Sequence, residues 1–194
     1  MLPGTGFASR SIENRIDMSL KEYQEKRKLD QTPEPAADGK ESTGKEPVFV
    51  VQKHEASHLH WDFRLEADGV LKSWAVPKGP SMNPKDKRLA VHVEDHPYDY
   101  RDFEGTIPEG NYGAGTVEIW DSGTYTPLEK HRDVTRAIED GLLEFRIHGS
   151  KLKGQFTLVR TSMDGQPDKN WLLLKKDDEY AVHGEYDAND IPSR

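Results

Sequence analysis

The sequence predicts an all-β domain, a barrel or sandwich of about eight strands, with a short N-terminal helix and one further short helix. Two observations predict this class. From residue 48 onward, apolar and polar residues alternate in short segments that turn-forming residues separate. Many short strands with turns at fairly regular spacing are typical of a β-barrel or β-sandwich. A length of 194 residues, 34% of them hydrophobic, allows one domain with a modest core.

Composition excludes several classes of function. The net charge of -8 argues against a protein that coats nucleic acid nonspecifically. The absence of cysteine excludes disulfides and thiolate chemistry, and it fits a reducing compartment. The sequence contains no apolar run of about 18 residues and no apolar signal-peptide core near its start. We therefore expect neither a membrane span nor secretion, and we expect a monomer.

The first 47 residues are expected to lie outside the barrel. Residues 1–17 show no periodicity, and we interpret them as a disordered tail. Residues 19–29 read as a short helix, in which Ser19 and Glu22 fit a capping box. The proline-rich stretch 33–47 predicts a linker or an extended arm.

The barrel itself is expected over residues 48–181, with a C-terminal tail over 182–194. The dipeptide Asp68-Gly69 is a hairpin signal, and a helix is expected only near 132–139. The predicted strands are 48–54, 58–66, 70–76, 88–94, 115–120, 142–147, 154–161 and 170–175.

Alternation along the second predicted strand separates two kinds of side chain. Successive side chains of a strand point to opposite faces. One face of 58–66 is then apolar, and the other carries ligand-type groups about 6.5–7 Å apart. The groups on this polar face are His58, His60, Asp62, Arg64 and Glu66.

The fourth predicted strand repeats this pattern. Its expected polar face carries Arg88, His92, Glu94 and His96. Imidazoles with one carboxylate suit Mn, Fe, Co or Zn, and arginine suits phosphate or carboxylate. A metal with several cations predicts an anionic substrate whose charge grows in the transition state, as in phosphoryl chemistry.

A simpler structural role competes with each of these assignments. A single histidine on a strand is more often a satisfied polar residue than a ligand, and we take that reading for His131, His148 and His183. The pattern His-x-His-x-Asp at 58–62, with His54 four residues upstream, favours a metal.

Other features also have a simpler reading. Arg64 and Arg88 are alternatively members of cross-strand ion pairs with Glu66 or Glu94. The segment 110-GNYGAG-115 lacks the lysine of a phosphate loop, and we interpret it as a tight turn.

Three stretches of the chain resemble a known family. They are 49-FVVQKHEASHLHWDFRLEADGVLKSWAVPKGPS-81, 88-RLAVHVEDHPYDYRDFEGTIPEGNYGAGTVEIWDSGTY-125 and 171-WLLLKKDDEYA-181. They are similar to the 3′-phosphoesterase domain of bacterial DNA ligase D, and the similarity covers most of 26–181. The resemblance implies a compact β-barrel with one active site, either as a stand-alone enzyme or as a domain of a longer ligase.

The resemblance also implies an activity. Family members use a divalent metal, typically Mn²⁺, and here Co²⁺ or Zn²⁺ would be alternatives. They trim the 3′ ends of DNA or RNA-containing primer-templates at strand breaks, removing 3′-phosphates and terminal ribonucleotides to leave a 3′-hydroxyl. A cytoplasmic, prokaryotic setting near the nucleoid follows. The implied partners are a DNA ligase or polymerase and a Ku-type end-binding protein.

Site residues follow by matching this sequence to the family's motifs. The resemblance implies a metal site, a set of groups around the scissile phosphate and accessory residues in the N-terminal arm. Glu94 is expected to support these groups without contacting the substrate itself. His96 either donates a proton to the leaving oxygen or hydrogen-bonds the phosphate. The metal ligands would be His54, His60 and Asp62; the phosphate and catalytic groups Arg64, Lys78, Arg88, His96 and Tyr100; and the arm residues Arg27 and Glu34.

One departure from the family concerns the arm. The family commonly has Lys-Arg-Asp-Phe where this chain reads 26-KRKL-29, so Lys28 replaces an acid. We therefore expect the ribonucleotide step to be affected more than the phosphatase step. Two alternative functions are hydrolysis of another phosphoester, such as a 2′,3′-cyclic phosphate, and non-catalytic binding of DNA ends or of a ligase.

Overall fold

The structure is a computed structural model that describes residues 6–37, 46–162 and 169–193, with side chains from residue 16 onward. It contains a closed, antiparallel barrel of eight strands, one additional strand and two helices. In chain order the elements are α1 (Gly6–Lys26), β1 (Val48–Glu55), β2 (Leu59–Ala67), β3 (Val70–Val76), β4 (Lys87–Pro97), β5 (Gly105–Ile107), β6 (Gly115–Pro127), α2 (Val134–Asp140), β7 (Leu142–His148), β8 (Lys153–Arg160) and β9 (Asn170–Lys175). Neither helix is long and apolar enough to cross a membrane.

The barrel closes through the pairing of β1 with β6. The strands follow the order β1-β2-β3-β4-β9-β8-β7-β6, and β5 adds to the outer edge of β6. All eight predicted strands are present. The sequence analysis missed only β5, a strand of three residues, and it ended β6 seven residues early.

The barrel interior holds the main core. Every one of the eight barrel strands contributes buried apolar side chains to one cluster, including all four tryptophans. The predicted hairpin at Asp68-Gly69 joins β2 to β3, and both residues have positive φ, as a type I′ turn requires. The predicted helix near 132–139 is α2, which Asp133 caps.

Helix α1 differs from the prediction. It spans 21 residues, whereas we expected a disordered tail followed by a helix over 19–29. Ser19 lies in mid-helix and hydrogen-bonds Asp95 of β4, so it is not an N-cap. Leu20 and Tyr23 are fully buried against the outer wall of the barrel. This apolar stripe explains the length of the helix better than local capping does.

The segment after α1 is an arm that lies against the barrel. Glu34 is buried, and the hydroxyl of Tyr23 donates to the carbonyl of Pro35. Within the predicted stretch 33–47, residues 38–45 lie outside the described part of the chain. The arm therefore covers the outer face of β1–β4 at residues 27–37.

The C-terminal residues also contact the barrel. The expected loose tail at 184–194 is wrong for its described residues, because Ala188 is fully buried in the main core. The indole of Trp120 donates to the carbonyl of Ile191, and Arg88 donates to the carbonyl of Tyr186. The exact division of the chain at residues 47 and 181 stays a prediction.

Candidate active site

Three side chains on the outer face of β1 and β2 form a metal-type cluster. His54 lies directly opposite His60 in the antiparallel pair, and Asp62 follows two residues later on the same face. One ligand atom from each residue lies within 4.8 Å of the other two. The predicted set of metal ligands therefore converges, and it does so because strand pairing aligns the two histidines.

The two imidazole rings are oriented by backbone carbonyls. Nε2 of His54 lies 2.8 Å from the carbonyl oxygen of Gly113, and Nδ1 of His60 lies 2.9 Å from that of His58. A carbonyl oxygen only accepts, so these two nitrogens carry the hydrogens. The free lone pairs are on His54 Nδ1 and His60 Nε2, each 3.5 Å from a carboxylate oxygen of Asp62.

This donor set fits a divalent transition metal. Two imidazole nitrogens and one carboxylate suit Mn, Co or Zn, and an outer hydrogen bond to each imidazole is the usual support for such ligands. His58 itself is exposed and contributes only its backbone. Of the His-x-His-x-Asp pattern that favoured a metal, only the second histidine and the aspartate belong to the cluster.

Electrostatics keep Asp62 ionised. Burial opposes the charged form, but the Arg64 guanidinium and the two histidines outweigh it, so the pKa of Asp62 lies well below its usual value of 3.8. For His60, burial also opposes the charge, and the neighbouring carboxylate of Asp62 nevertheless raises its pKa. The carboxylate is thus available as a metal ligand at neutral pH.

Arg64 is buried beside the metal-type cluster. Its Nε donates to Gln52 at 2.8 Å, and its two terminal nitrogens donate to Ser73 at 2.9 Å and to Asp62 at 3.1 Å. The guanidinium lies 4.8 Å from the centre of the Tyr100 ring. Among the described residues, three of its five N–H groups have hydrogen-bond partners, and Arg64 lines the same cavity as the cluster.

His96 lies on the same cavity and is buried in a neutral state. Its Nδ1 is 2.9 Å from the carbonyl oxygen of Glu94, so Nδ1 carries the hydrogen, and Nε2 accepts from Arg27 at 3.1 Å. Burial, with Arg64 and Arg27 nearby, holds the pKa of His96 well below 6.5. In this state His96 accepts a hydrogen bond and does not act as a proton donor.

The arm closes the cavity with a buried ionic network. Arg27 donates to Glu34 at 2.8 Å and to Glu94 at 2.9 Å. Tyr100 donates to Glu34 at 2.9 Å, and burial keeps the pKa of Tyr100 well above 10. Lys26 adds a second cation 3.0 Å from Glu94. The two predicted arm residues thus belong to the site, although they lie more than 50 positions before His96 in sequence.

Lys78 and Arg88 lie elsewhere. They line a separate cavity at the end of the barrel, together with Trp61 and the C-terminal residues 184–189. Arg88 donates to Asp86 at 2.9 Å as well as to the backbone of residue 186. Their assignment to the scissile phosphate stays a prediction, and the structure separates them from the cluster that His54 belongs to.

A β-bulge in β4 explains why Arg88 is separated from the cluster. Ser73 pairs with Val93 and Leu71 pairs with His96, so two steps along β3 match three steps along β4. The extra residue shifts the alternation by one. Ala90, on the near side of the bulge, faces the core, and Arg88 shares its face. The single polar face that we expected for β4 is therefore wrong.

Two features had a simpler structural interpretation, the ion pairing of Arg64 and the turn at 110–115, and their outcomes differ. Arg64 pairs with Asp62 and not with Glu66, whose carboxylate accepts from the backbone of Val48. The segment 110–115 is the tight turn between β5 and β6, as predicted.

Sequence reasoning missed four neighbours of the cluster. They lie on the outer face of the barrel or on the segments that cover it, and each contacts a predicted site residue. Gln52 had a signal, because alternation in β1 places it on the face of His54, whereas the others depend on tertiary contacts. The four are Gln52, Ser73, Lys26 and Tyr112.

Comparison with known proteins identifies the family to which the chain belongs. The sequence model of the family described as DNA Ligase D 3′-phosphoesterase domain matches residues 52–160. This range includes the whole metal-type cluster and His96, and it leaves out the arm.

Three relatives extend the match. The multifunctional non-homologous end joining protein LigD of Pseudomonas aeruginosa is 54% identical over 161 residues, 82% of this chain and 19% of the relative. The LigD DNA repair protein of Mycobacterium tuberculosis is 47% identical over 145 residues, 75% of this chain and 19% of the relative. LigD of Mycolicibacterium smegmatis is 42% identical over 181 residues, 91% of this chain and 23% of the relative.

The chain spans about a fifth of the length of these relatives, as the shares of 19% and 23% show. The family match nevertheless covers more than half of the chain, and it falls on the strands that carry the site. The chain belongs to the DNA ligase D 3′-phosphoesterase domain family.

Proposed function

We propose that this chain is a metal-dependent phosphoesterase that processes 3′ ends in strand-break repair. It would remove 3′-phosphates, and also terminal ribonucleotides, from DNA or RNA-containing primer ends. The observation that carries the proposal is the convergence of His54, His60 and Asp62 beside the guanidinium of Arg64. Membership of the family supports an end-processing role in the repair pathway that the relatives' names describe.

The cluster would hold the metal, which is manganese by family resemblance, with cobalt or zinc as alternatives. When bound, such an ion acts as a Lewis acid toward a phosphate oxygen. Arg64 would bind a second phosphate oxygen through its guanidinium and offset charge in the transition state.

His96 and Arg27 would share the remaining side of the phosphate. Nε2 of His96 accepts from Arg27 in the absence of substrate. A phosphate that enters adds negative charge, which favours protonation of His96 and attracts the guanidinium of Arg27. His96 would then hydrogen-bond the phosphate or protonate the leaving oxygen. Tyr100 and Glu34 hold Arg27 in reach, so their role is to position it.

The proposed partners follow from the same role. The substrates would be primer-template duplexes with damaged 3′ ends, and a ligase, a polymerase and a Ku-type end-binding protein would act on the same break. Lys28, which replaces the family's usual acid, is exposed next to Arg27. We propose that this replacement slows ribonucleotide removal more than phosphate removal.

The test uses a 5′-labelled primer on a longer template, ending in a 3′-phosphate or in one ribonucleotide. We expect loss of the phosphate with Mn²⁺, no reaction with EDTA, and a decrease of at least about 100-fold for His60→Ala. His58→Ala is the matched control, because its exposed ring is outside the cluster and its carbonyl is retained. Equal activity of His60→Ala and His58→Ala, or a reaction that EDTA leaves intact, would refute the proposal.

A further inference from the structure

The loop between β5 and β6 places one exposed aromatic ring at the mouth of the metal-type cavity. Tyr112 lines the same cavity as His54, Asp62 and His96. It is 47% exposed, although most aromatic side chains of the described residues are buried.

The backbone that follows Tyr112 is held against β1. The carbonyl of Gly113 accepts from the ring of His54, at 2.8 Å. Gly115 lies so close to β1 that an added Cβ would be 2.3 Å from the carbonyl oxygen of Glu55. The backbone next to the ring is therefore anchored close to the metal-type cluster.

Two cationic side chains lie beside the ring, and both are also paired with the carboxylate of Glu94. Nζ of Lys26 lies 5.1 Å from the ring centre, and the guanidinium carbon of Arg27 lies 5.3 Å from it. Both cations come from the end of α1, so the ring and the start of the arm lie side by side at the cavity. Sites that bind a nucleic-acid end combine positive charge near its phosphate backbone with an aromatic ring on which a base stacks.

We infer that Tyr112 is a stacking platform for the terminal base of the 3′ end whose phosphate enters the metal-type cavity. This inference rests on the proposed function and specifies how the end is positioned. Stacking on an aromatic ring tolerates any base, because every base has a π-face. The platform thus selects a nucleotide at the end and leaves its identity open.

The first test is a binding measurement that needs no catalysis. A primer-template with a 3′-phosphate carries 2-aminopurine as its terminal base, and the full chain is added in EDTA. We expect quenching by the wild type and by Tyr112→Phe. Tyr112→Ala should bind roughly 5- to 100-fold more weakly and quench less, in line with the usual strength of base stacking.

Tyr180→Ala is the matched control. Tyr180 is 45% exposed, close to the value for Tyr112, but it lines a different cavity with residues of β7 and β8. Its loss should change binding less than about twofold. If both alanine variants weaken binding equally, the effect of Tyr112 is nonspecific and the inference is wrong.

The decisive comparison uses a terminal nucleotide without a base. Tyr112→Ala should weaken binding of the base-bearing end and change binding of the abasic end less than about twofold, as a double-mutant cycle requires for a direct contact. An equal loss on both ends would show that the ring acts through Lys26 or Arg27, and would overturn the inference. With active enzyme, KM should increase and kcat change little. Failure of catalysis on every substrate would leave these binding results standing.

Discussion

At the scale of single residues, Asp62 is the side chain that contacts both histidine ligands and the buried arginine of the site. Its carboxylate lies near both histidine ligands and accepts from Arg64. It therefore links the metal-type cluster to the anion-binding guanidinium. Burial without these partners would disfavour its charge, so the four side chains depend on one another.

We predict that Asp62→Asn weakens Mn²⁺ binding by at least about 10-fold, because a neutral amide replaces the only anionic ligand of the cluster. Isothermal titration calorimetry of the metal-free protein measures this change. Asp102→Asn is the control, since Asp102 is exposed and pairs only with Arg101 among the described residues that surround it. An unchanged affinity in Asp62→Asn would place the metal elsewhere.

His96 should make the protein less stable in mild acid. Its pKa is well below 6.5 in the folded protein, so the unfolded chain takes up this proton first as the pH falls below 6.5. The free energy of unfolding then decreases by up to about 1.4 kcal/mol per pH unit for this group. His92, whose pKa burial also lowers, adds to the slope, and His60, whose pKa is raised, opposes it.

Urea unfolding between pH 5 and 6.5 in EDTA tests this prediction. His96→Gln should have a shallower dependence on pH than the wild type. Carboxylates such as Asp62 and Glu94 have lowered pKa values, so they contribute at lower pH, below their ordinary values of 3.8 and 4.5. A variant with the slope of the wild type would show that His96 has the same pKa in the folded and the unfolded protein.

Several residues of the site could be predicted and others could not. Alternation in β2 put His60, Asp62 and Arg64 on one face, and the structure agrees. Strand alternation carries no information on what covers that face. Lys26 and Tyr112 therefore had no local signal, because their place in the site comes from the docking of α1 and of the β5–β6 loop.

At the scale of elements, β4 shows where alternation fails. The bulge between the pairs Ser73–Val93 and Leu71–His96 adds one residue to the strand. A bulge leaves little trace in a single sequence, so the strand was expected to have one polar face throughout. Its two halves serve different cavities, with Arg88 on one and His96 on the other.

The arm depends on its ionic network. We predict that Glu34→Ala loosens α1 and the arm, because it leaves Arg27 with half of its buried carboxylate partners. Breaking a buried ion pair costs about 3–5 kcal/mol, and here the loss should appear as local opening. Hydrogen exchange of residues 20–37 measures it.

Glu25→Ala is the control for this experiment, because its ion pair with Lys21 on α1 is exposed. The barrel strands should keep their protection in both variants. If exchange in α1 were the same in Glu34→Ala and the wild type, the network would not hold the arm.

At the scale of the whole molecule, the barrel was more predictable from the sequence than the terminal segments that pack against it. Eight strands with turns between them gave the barrel, since period-two patterns and turn residues are local signals. The first part of helix α1, up to residue 17, and the C-terminal residues were expected to be tails. Their apolar contacts are few and widely spaced, as with Ile16 and Ala188, and become visible only against the barrel surface.

Removing the C-terminal residues should destabilise the barrel. We predict that a chain ending at residue 183 loses roughly 3 kcal/mol, because Ala188 and the partly buried Tyr186 and Ile191 leave the core. Trp120 would also lose the carbonyl that its indole donates to. Thermal unfolding followed by tryptophan fluorescence measures the change, with Glu185→Ala as an exposed control. A midpoint equal to that of the full chain would contradict this packing.

The position of Arg27 and Glu34 ahead of the barrel has a consequence for how such a protein can change. The ligand cluster is encoded within one contiguous core, whereas its cover is encoded in a separate stretch that reaches the site from outside. We predict that exchanging that stretch between family members would change which 3′ end is preferred and leave the metal-type cluster in place. A separate peptide with the sequence of α1 and the arm could bind to a barrel that lacks them and restore the cover of the cavity.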